Sequence, residues 1–239
     1  MSIKLAMLAI GLSSTLGCVT TKEIAGSGVE KSDTRSVGKI ESVTIAGNVQ
    51  VKVTNIPAGT MKVVADDNLL SNIVTKVDDE NLTVDLTCEE CELVPKTKIS
   101  IEISSADFEK ALLSDDASIE IKGFKGEELS ISASDSAKIS IADVSSDEIA
   151  LKLSDDVEAT VSGSVKSIDI ETQDDAKVNA VDLAVKEAEI DASDSTDISL
   201  DVSDLLEAKM FDSAKLTLKR EPTKSETKVE DSAVINRAY

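Results

Sequence analysis

Apolar and polar residues alternate in short runs along most of the chain, and Gly, Pro, Asn or Asp breaks the runs. Val43 and Ile45 alternate with polar neighbours, Asn48 turns the chain, Val49, Val51 and Val53 alternate again, and Pro57 with Gly59 closes the next turn. Alternation with a period of two predicts strands with one buried and one wet face. Further strands are expected over 61–64, 74–77, 82–86 and 99–103, with a polar, helix-compatible stretch over 66–72.

After Phe108 the alternation acquires a long period. A small or polar residue, Asp, then Asp or Ser, precedes each β-prone run: Ser114-Asp115-Asp116, Ser134-Asp135-Ser136, Ser154-Asp155-Asp156, Gln173-Asp174-Asp175, Ser193-Asp194-Ser195, Phe211-Asp212-Ser213 and Glu230-Asp231-Ser232. Successive first aspartates are 20, 20, 19, 20, 18 and 19 residues apart. Each unit holds two alternating runs, such as Ile139 and Ile141 followed by Ile149, Leu151 and Leu153. A fixed period of this length marks a stacked solenoid, in which each coil buries its apolar face only against its neighbours. The expected fold is all-β, a single-stranded β-helix with coils of about 19–20 residues. Residues 108–239 form the repeated coils, and 36–107 hold irregular strands that cap one end.

The run from Ile40 to Val53, the Asp66-Asp67-Asn68-Leu69-Leu70 segment, the Asn81-Leu82-Thr83-Val84 strand and the repeats that follow resemble the head GIN domain of putative auto-transporter adhesins. The likeness covers 36–239. It implies a right-handed β-helix in an exported protein with an adhesive role. This chain departs from the family pattern at its turns, where Ser-Asp-Asp or Ser-Asp-Ser replaces Gly-Ser-Gly.

The N-terminus bears on location. Met1-Ser2-Ile3-Lys4 is a positive start, and Leu5 to Leu12 is an apolar stretch too short to span a bilayer. The following Ser13-Ser14-Thr15-Leu16-Gly17-Cys18 resembles a bacterial lipoprotein signal, with cleavage before Cys18 and acylation of that cysteine. Residues 1–17 are then a signal peptide and 18–35, rich in Gly, Ser, Thr and charge, a flexible tether. The ordinary alternative is a secretory signal with a coincidental cysteine. Val19 and Thr20 follow Cys18 with no acidic residue, which in a Gram-negative host resembles lipoproteins sorted to the outer membrane.

Composition narrows the chemistry. Twenty-five basic against 46 acidic residues give a net charge of -21, which repels nucleic-acid phosphates and anionic lipid headgroups. The chain has no histidine, no tryptophan and four other aromatic residues, so the commonest general base and the usual stacking platforms are missing. Cys88 and Cys91 form an even pair once Cys18 is acylated, and an oxidising compartment favours a local disulfide between them. Free thiols, a redox pair or a metal site are the other readings of Cys-x-x-Cys. The glutamates between the two cysteines disfavour a lowered thiol pKa.

Asp115, Asp135, Asp155, Asp174, Asp194, Asp212 and Asp231 have two readings. Aspartate tolerates the left-handed conformation of a tight turn, which suits a coil corner. Stacked carboxylates are also oxygen ligands for calcium, the one cofactor the sequence brings into view. The expected function is a non-enzymatic envelope lipoprotein, anchored to a membrane through Cys18, with a protein or glycan partner and no nucleic acid. The alternatives are a calcium-binding structural envelope protein and a polysaccharide-active enzyme using paired carboxylates such as Asp115 with Asp116.

Overall fold

A computed structural model describes residues 22–55, 59–88 and 91–238 of the chain. The expected signal peptide, residues 1–17, and Cys18 lie outside the described residues. Strand follows strand in the order β1 (Lys22–Ala25), β2 (Glu30–Ser36), β3 (Ser42–Ile45), β4 (Val49–Thr54), β5 (Thr60–Asp66), β6 (Ile73–Asp78), β7 (Asn81–Leu86), β8 (Cys91–Val94) and β9 (Ile99–Ser104). Then come β10 (Lys110–Leu113), β11 (Ser118–Lys122), β12 (Lys125–Ala133), β13 (Lys138–Leu153), β14 (Glu158–Thr172), β15 (Lys177–Ala192), β16 (Asp197–Met210), β17 (Lys215–Leu218), β18 (Lys224–Val229) and β19 (Val234–Arg237). The helix-compatible stretch contributes one 3-10 turn, Leu70–Asn72.

From β10 onward every pairing is parallel and joins equivalent positions of consecutive coils. Lys138 pairs with Glu158, Glu158 with Lys177, Lys177 with Asp197, Asp197 with Lys215, and Lys215 with Val234. The β-helix is thus built one coil at a time, and β13 to β16 each carry both arms of a coil. Register fixes the core, because a one-residue slip would turn every inward side chain to water. One inward column runs Ile101, Val51, Ile119, Ile139, Ala159, Val178, Ile198 and Leu216, all buried. Each fully buried Ile or Leu in such a column contributes roughly 1.5–3 kcal/mol. Phe124 fills a corner of the interior, and its ring lies against Gly126, where a Cβ would sit 2.7 Å from the ring. That close approach explains the glycine at this position.

The coils begin earlier than Phe108. β3 and β4 form a coil in register with the later ones: Ser42 pairs with Lys110, and Gln50 with Ser118, 68 residues further on. The chain leaves this first coil after β4, builds a layer beneath it, and returns at β10 on the opposite side. In that layer β7 lies parallel to β3 and β9 parallel to β4, while β6 runs antiparallel on β7, β5 on β9 and β2 on β5. Residues 36–107 are therefore a coil plus an inserted cap. The insertion hides the period from the sequence.

The expectation of a flexible tether over 18–35 fails for the residues described. Positions 22–25 pair with β8, and 30–36 pair along their whole length with β5. β2 lacks hydrophobic alternation because it is an edge strand with nearly every side chain exposed, so backbone hydrogen bonds and not apolar burial hold it. The buried carboxylate of Asp66 fastens this layer by accepting from the backbone N–H groups of Gly28 (2.7 Å), Lys96 (2.8 Å) and Thr97 (3.1 Å). Burial pushes this carboxyl up, but those three N–H donors outweigh it and hold it below the ordinary carboxylate value.

Candidate functional site

The aspartate column is the most regular surface feature. Asp115, Asp135, Asp155, Asp174, Asp194, Asp212 and Asp231 all have positive φ, between 56° and 64°. This is the left-handed region, where glycine, Asn and Asp are the residues of least strain. The column begins with a glycine: Gly47 turns the first coil with φ 79°, and its N–H donates to Asp115 Oδ2 at 3.0 Å. The N–H of Asp115 in turn donates to Asp135 Oδ2 (3.2 Å), and that of Asp135 to Asp155 Oδ2 (3.4 Å). Hydroxyls of Ser134, Ser154 and Ser193 donate to the aspartates that follow them. Backbone pairing continues through the corner, with the N–H of Ser136 donating to Asp115 O and that of Asp156 to Asp135 O.

In this arrangement the upstream carboxylates are occupied by their own stack. Among the described residues no three His, Cys, Asp or Glu side chains are grouped so as to hold a metal ion. The pairs Asp115/Asp116 and Asp155/Asp156 are exposed and recur around the column, so neither stands apart as an acid and base.

A second acidic array lies on the outer face of the sheet formed by the second arms of the coils. Asp169 pairs with Glu189, Glu189 with Glu207, and Glu207 with Glu226, which sets four carboxylates in one row across four coils. Glu171 and Asp191 form the adjoining row. Partial burial raises the Asp169 carboxyl above its ordinary value, and repulsion from Glu189, Glu171 and Asp191 raises it further. Sequence reasoning missed this row because it attended to the corners. The signal was the acidic residue recurring at one-coil spacing, between inward aliphatics at Asp169, Glu189 and Glu207 and between Ser225 and Thr227 at Glu226. Beside it a groove of about 360 Å³ is lined by Leu112, Ser134, Lys152, Glu171, Gln173 and Asp191, with Lys152 and Glu171 paired at 2.6 Å.

Cys88 and Cys91 are placed in disulfide contact with their Cα atoms 5.4 Å apart, inside the usual range for a bridge. Cys91 opens β8 and pairs with Lys22 of β1, while Cys88 follows the end of β7.

The model of the family "Putative auto-transporter adhesin, head GIN domain" matches residues 40–222, which is most of the chain and nearly all of the coils. The chain belongs to that family. Solved structures similar to this GIN-domain protein share its fold at low identity. A putative adhesin from Bacteroides fragilis superposes with a TM-score of 0.78 at 16% identity, covering 90% of this chain and 99% of that one. A putative lipid binding protein from Parabacteroides distasonis gives 0.75 at 19% identity, over 91% and 100%. A putative adhesin from Parabacteroides merdae gives 0.71 at 16%, again over 91% and 100%. No curated protein matches the chain. The family is described by adhesion and not by a reaction.

Proposed function

We propose that this GIN-domain protein is a non-enzymatic, exported cell-envelope lipoprotein, held to the membrane through acylated Cys18, whose β-helix serves as an adhesin-like surface for a protein or glycan partner. The observation that carries the reading is the family match across 40–222, together with a solenoid whose outer faces are wide, polar and charged. The lipoprotein-like Gly17-Cys18 junction supports the anchor, and the Cys88–Cys91 contact supports an oxidising compartment. The lack of histidine and the recurrence of the corner pair at Asp115/Asp116, Asp155/Asp156 and Asp174/Asp175 weigh against catalysis.

Two measurements test the reading. Mass spectrometry of the protein recovered from its own envelope should find a chain that begins at Cys18 and carries acyl mass, with Cys18→Ser released from the membrane fraction. An unacylated mature chain that begins elsewhere would sink the anchor. Binding of the purified β-helix to immobilised glycans and to cells tests adhesion, and a lack of saturable binding to all of them overturns it.

A further inference from the structure

The two ends of the stack are treated differently. At the N-terminal end, β5, β6 and β2 run antiparallel across the layer beneath the first coil. At the other end, among the described residues, β18 pairs with β16 alone and β19 with β17 alone. Every residue of β18 is exposed. Its inward positions, Ser225, Thr227 and Val229, continue the columns of Leu206, Ala208 and Met210, yet Val229 is 41% exposed. Val234 on the neighbouring strand is 45% exposed, and Ile235 is only partly buried against the core. A free edge with open backbone groups and uncovered aliphatics invites another strand.

The outward residues of this edge indicate which strand. Lys224, Glu226 and Lys228 of β18 and Glu230 just beyond its end, where the backbone still pairs with Met210, alternate in sign and form exposed ion pairs, Lys224 with Glu226 and Lys228 with Glu230. Read in the opposite direction, the same stretch presents Glu, Lys, Glu, Lys. We propose that β18 pairs antiparallel with β18 of a second copy of this chain, about a two-fold axis at Thr227.

In that register Lys224 faces Glu230 of the second copy and Glu226 faces its Lys228, so the three outward residues of β18 and the adjoining Glu230 each meet an opposite charge. Ser225 lies opposite Val229, and Thr227 opposite Thr227. Same-face pairing allows only slips of two residues in sequence. Centring on Glu226 sets Lys224 against Lys228 and Glu226 against itself, and centring on Lys228 sets Glu226 against Glu230 and Lys228 against itself. Like charges directly opposite are destabilising, so the edge selects one full-length register. The contact is isologous and closes as a dimer, without propagating as a fibre. It also places the two N-terminal caps at opposite ends of the pair. On the anchored reading above, and resting on it, the dimer would join molecules held on facing surfaces. The pairing itself does not depend on the anchor.

Sedimentation of the intact chain over a concentration series tests the pairing. The expected result is a rise from the monomer mass to twice that mass. Lys224→Glu with Lys228→Glu should leave the chain monomeric, as should Glu226→Lys with Glu230→Lys, while an equimolar mixture of the two variants regains the doubled mass. A wild-type chain that stays at monomer mass overturns the proposal, as does a charge-reversed variant that still self-associates or a folded mixture that stays monomeric. Thr227→Cys gives a check that leaves the charges in place. Residues facing each other across an antiparallel pair lie within disulfide reach, so oxidation should yield a linked dimer above the wild-type level. Absence of that product from the oxidised variant also overturns the pairing.

Discussion

Replacing Asp155 separates the backbone role of the aspartate column from a role for its charge. Asp155 has φ 61°, its Oδ2 accepts from the Ser154 hydroxyl at 3.0 Å and the Asp135 N–H at 3.4 Å, and Asp135 and Asp174 occupy the same corner one coil to either side. Each neighbouring charge repels it by about 0.9 kcal/mol in water at the strand spacing, cut to about half by physiological salt. Asp155→Asn removes that repulsion and keeps both a carbonyl acceptor and tolerance of the left-handed region. It should therefore equal the wild type or exceed it by up to about 1 kcal/mol. Asp155→Val gains the same relief but takes on left-handed strain of roughly 1–2 kcal/mol and loses two exposed hydrogen bonds, together about 0.5 kcal/mol. Asn should therefore be more stable than Val by about 1.5–2.5 kcal/mol, or about 3–10 °C in melting temperature for a domain of this size. Thermal melts followed by circular dichroism at fixed ionic strength read the difference. Equal midpoints for Asn and Val would refute the claim that the corner selects aspartate for its backbone. An Asn variant as damaged as the Val variant would show that the carboxylate itself is needed, as an ion site would require.

Other expectations follow from the core and the cap. Leu151→Ala in the middle of an inward column should cost about 2–5 kcal/mol in chemical denaturation, because both neighbouring coils are fixed and collapse little. Asp66 has a folded pKa below its unfolded value, so its contribution is present at neutral pH and is lost as pH falls through the folded value. Protection of the β1 and β2 amides, taken relative to their intrinsic exchange rate at each pH, should fall on acidification, and in Asp66→Asn it should be low already at neutral pH; unchanged protection in the variant would dismiss the clasp. The Asp201 carboxyl is lowered chiefly by its hydrogen bond from Arg220, whose second nitrogen donates at 2.8 Å. Arg220→Met should therefore lower the melting point at pH 7 and have progressively less effect as acid neutralises Asp201, and a pH-independent loss would argue against the pair.

Much of the coil region was readable because each signal was local and repeated. Alternation gave the inward Ile139, Ile141, Leu151 and Leu153, and the Asp period gave the corners. The first coil was obscured because Ile45 and Val49 are followed by an inserted layer before their continuation at Lys110. β2 escaped notice for a different reason: Glu30 to Ser36 contains no apolar residue, and nothing in the segment reveals that β5 supplies its hydrogen-bond partners. The acidic row of Asp169, Glu189, Glu207 and Glu226 depends on register between coils of unequal length. A deletion in the corner shifts the pairing between Ala180 and Ala184, and such slips are not visible along one strand.

The inserted cap has a consequence for the order of folding. Neighbouring coils among β13 to β17 meet by closing loops of about twenty residues, whereas β3 must wait for β10 across 68 residues. The longer closure costs about 1 kcal/mol more in chain entropy and brings fewer contacts until the cap itself is formed. Coils from β12 onward are therefore expected to assemble first and to offer a ready template, onto which the first coil and then the cap condense. The N-terminal strands, made before the coils they dock on, would be among the last to find their place, held open until the template behind them is complete.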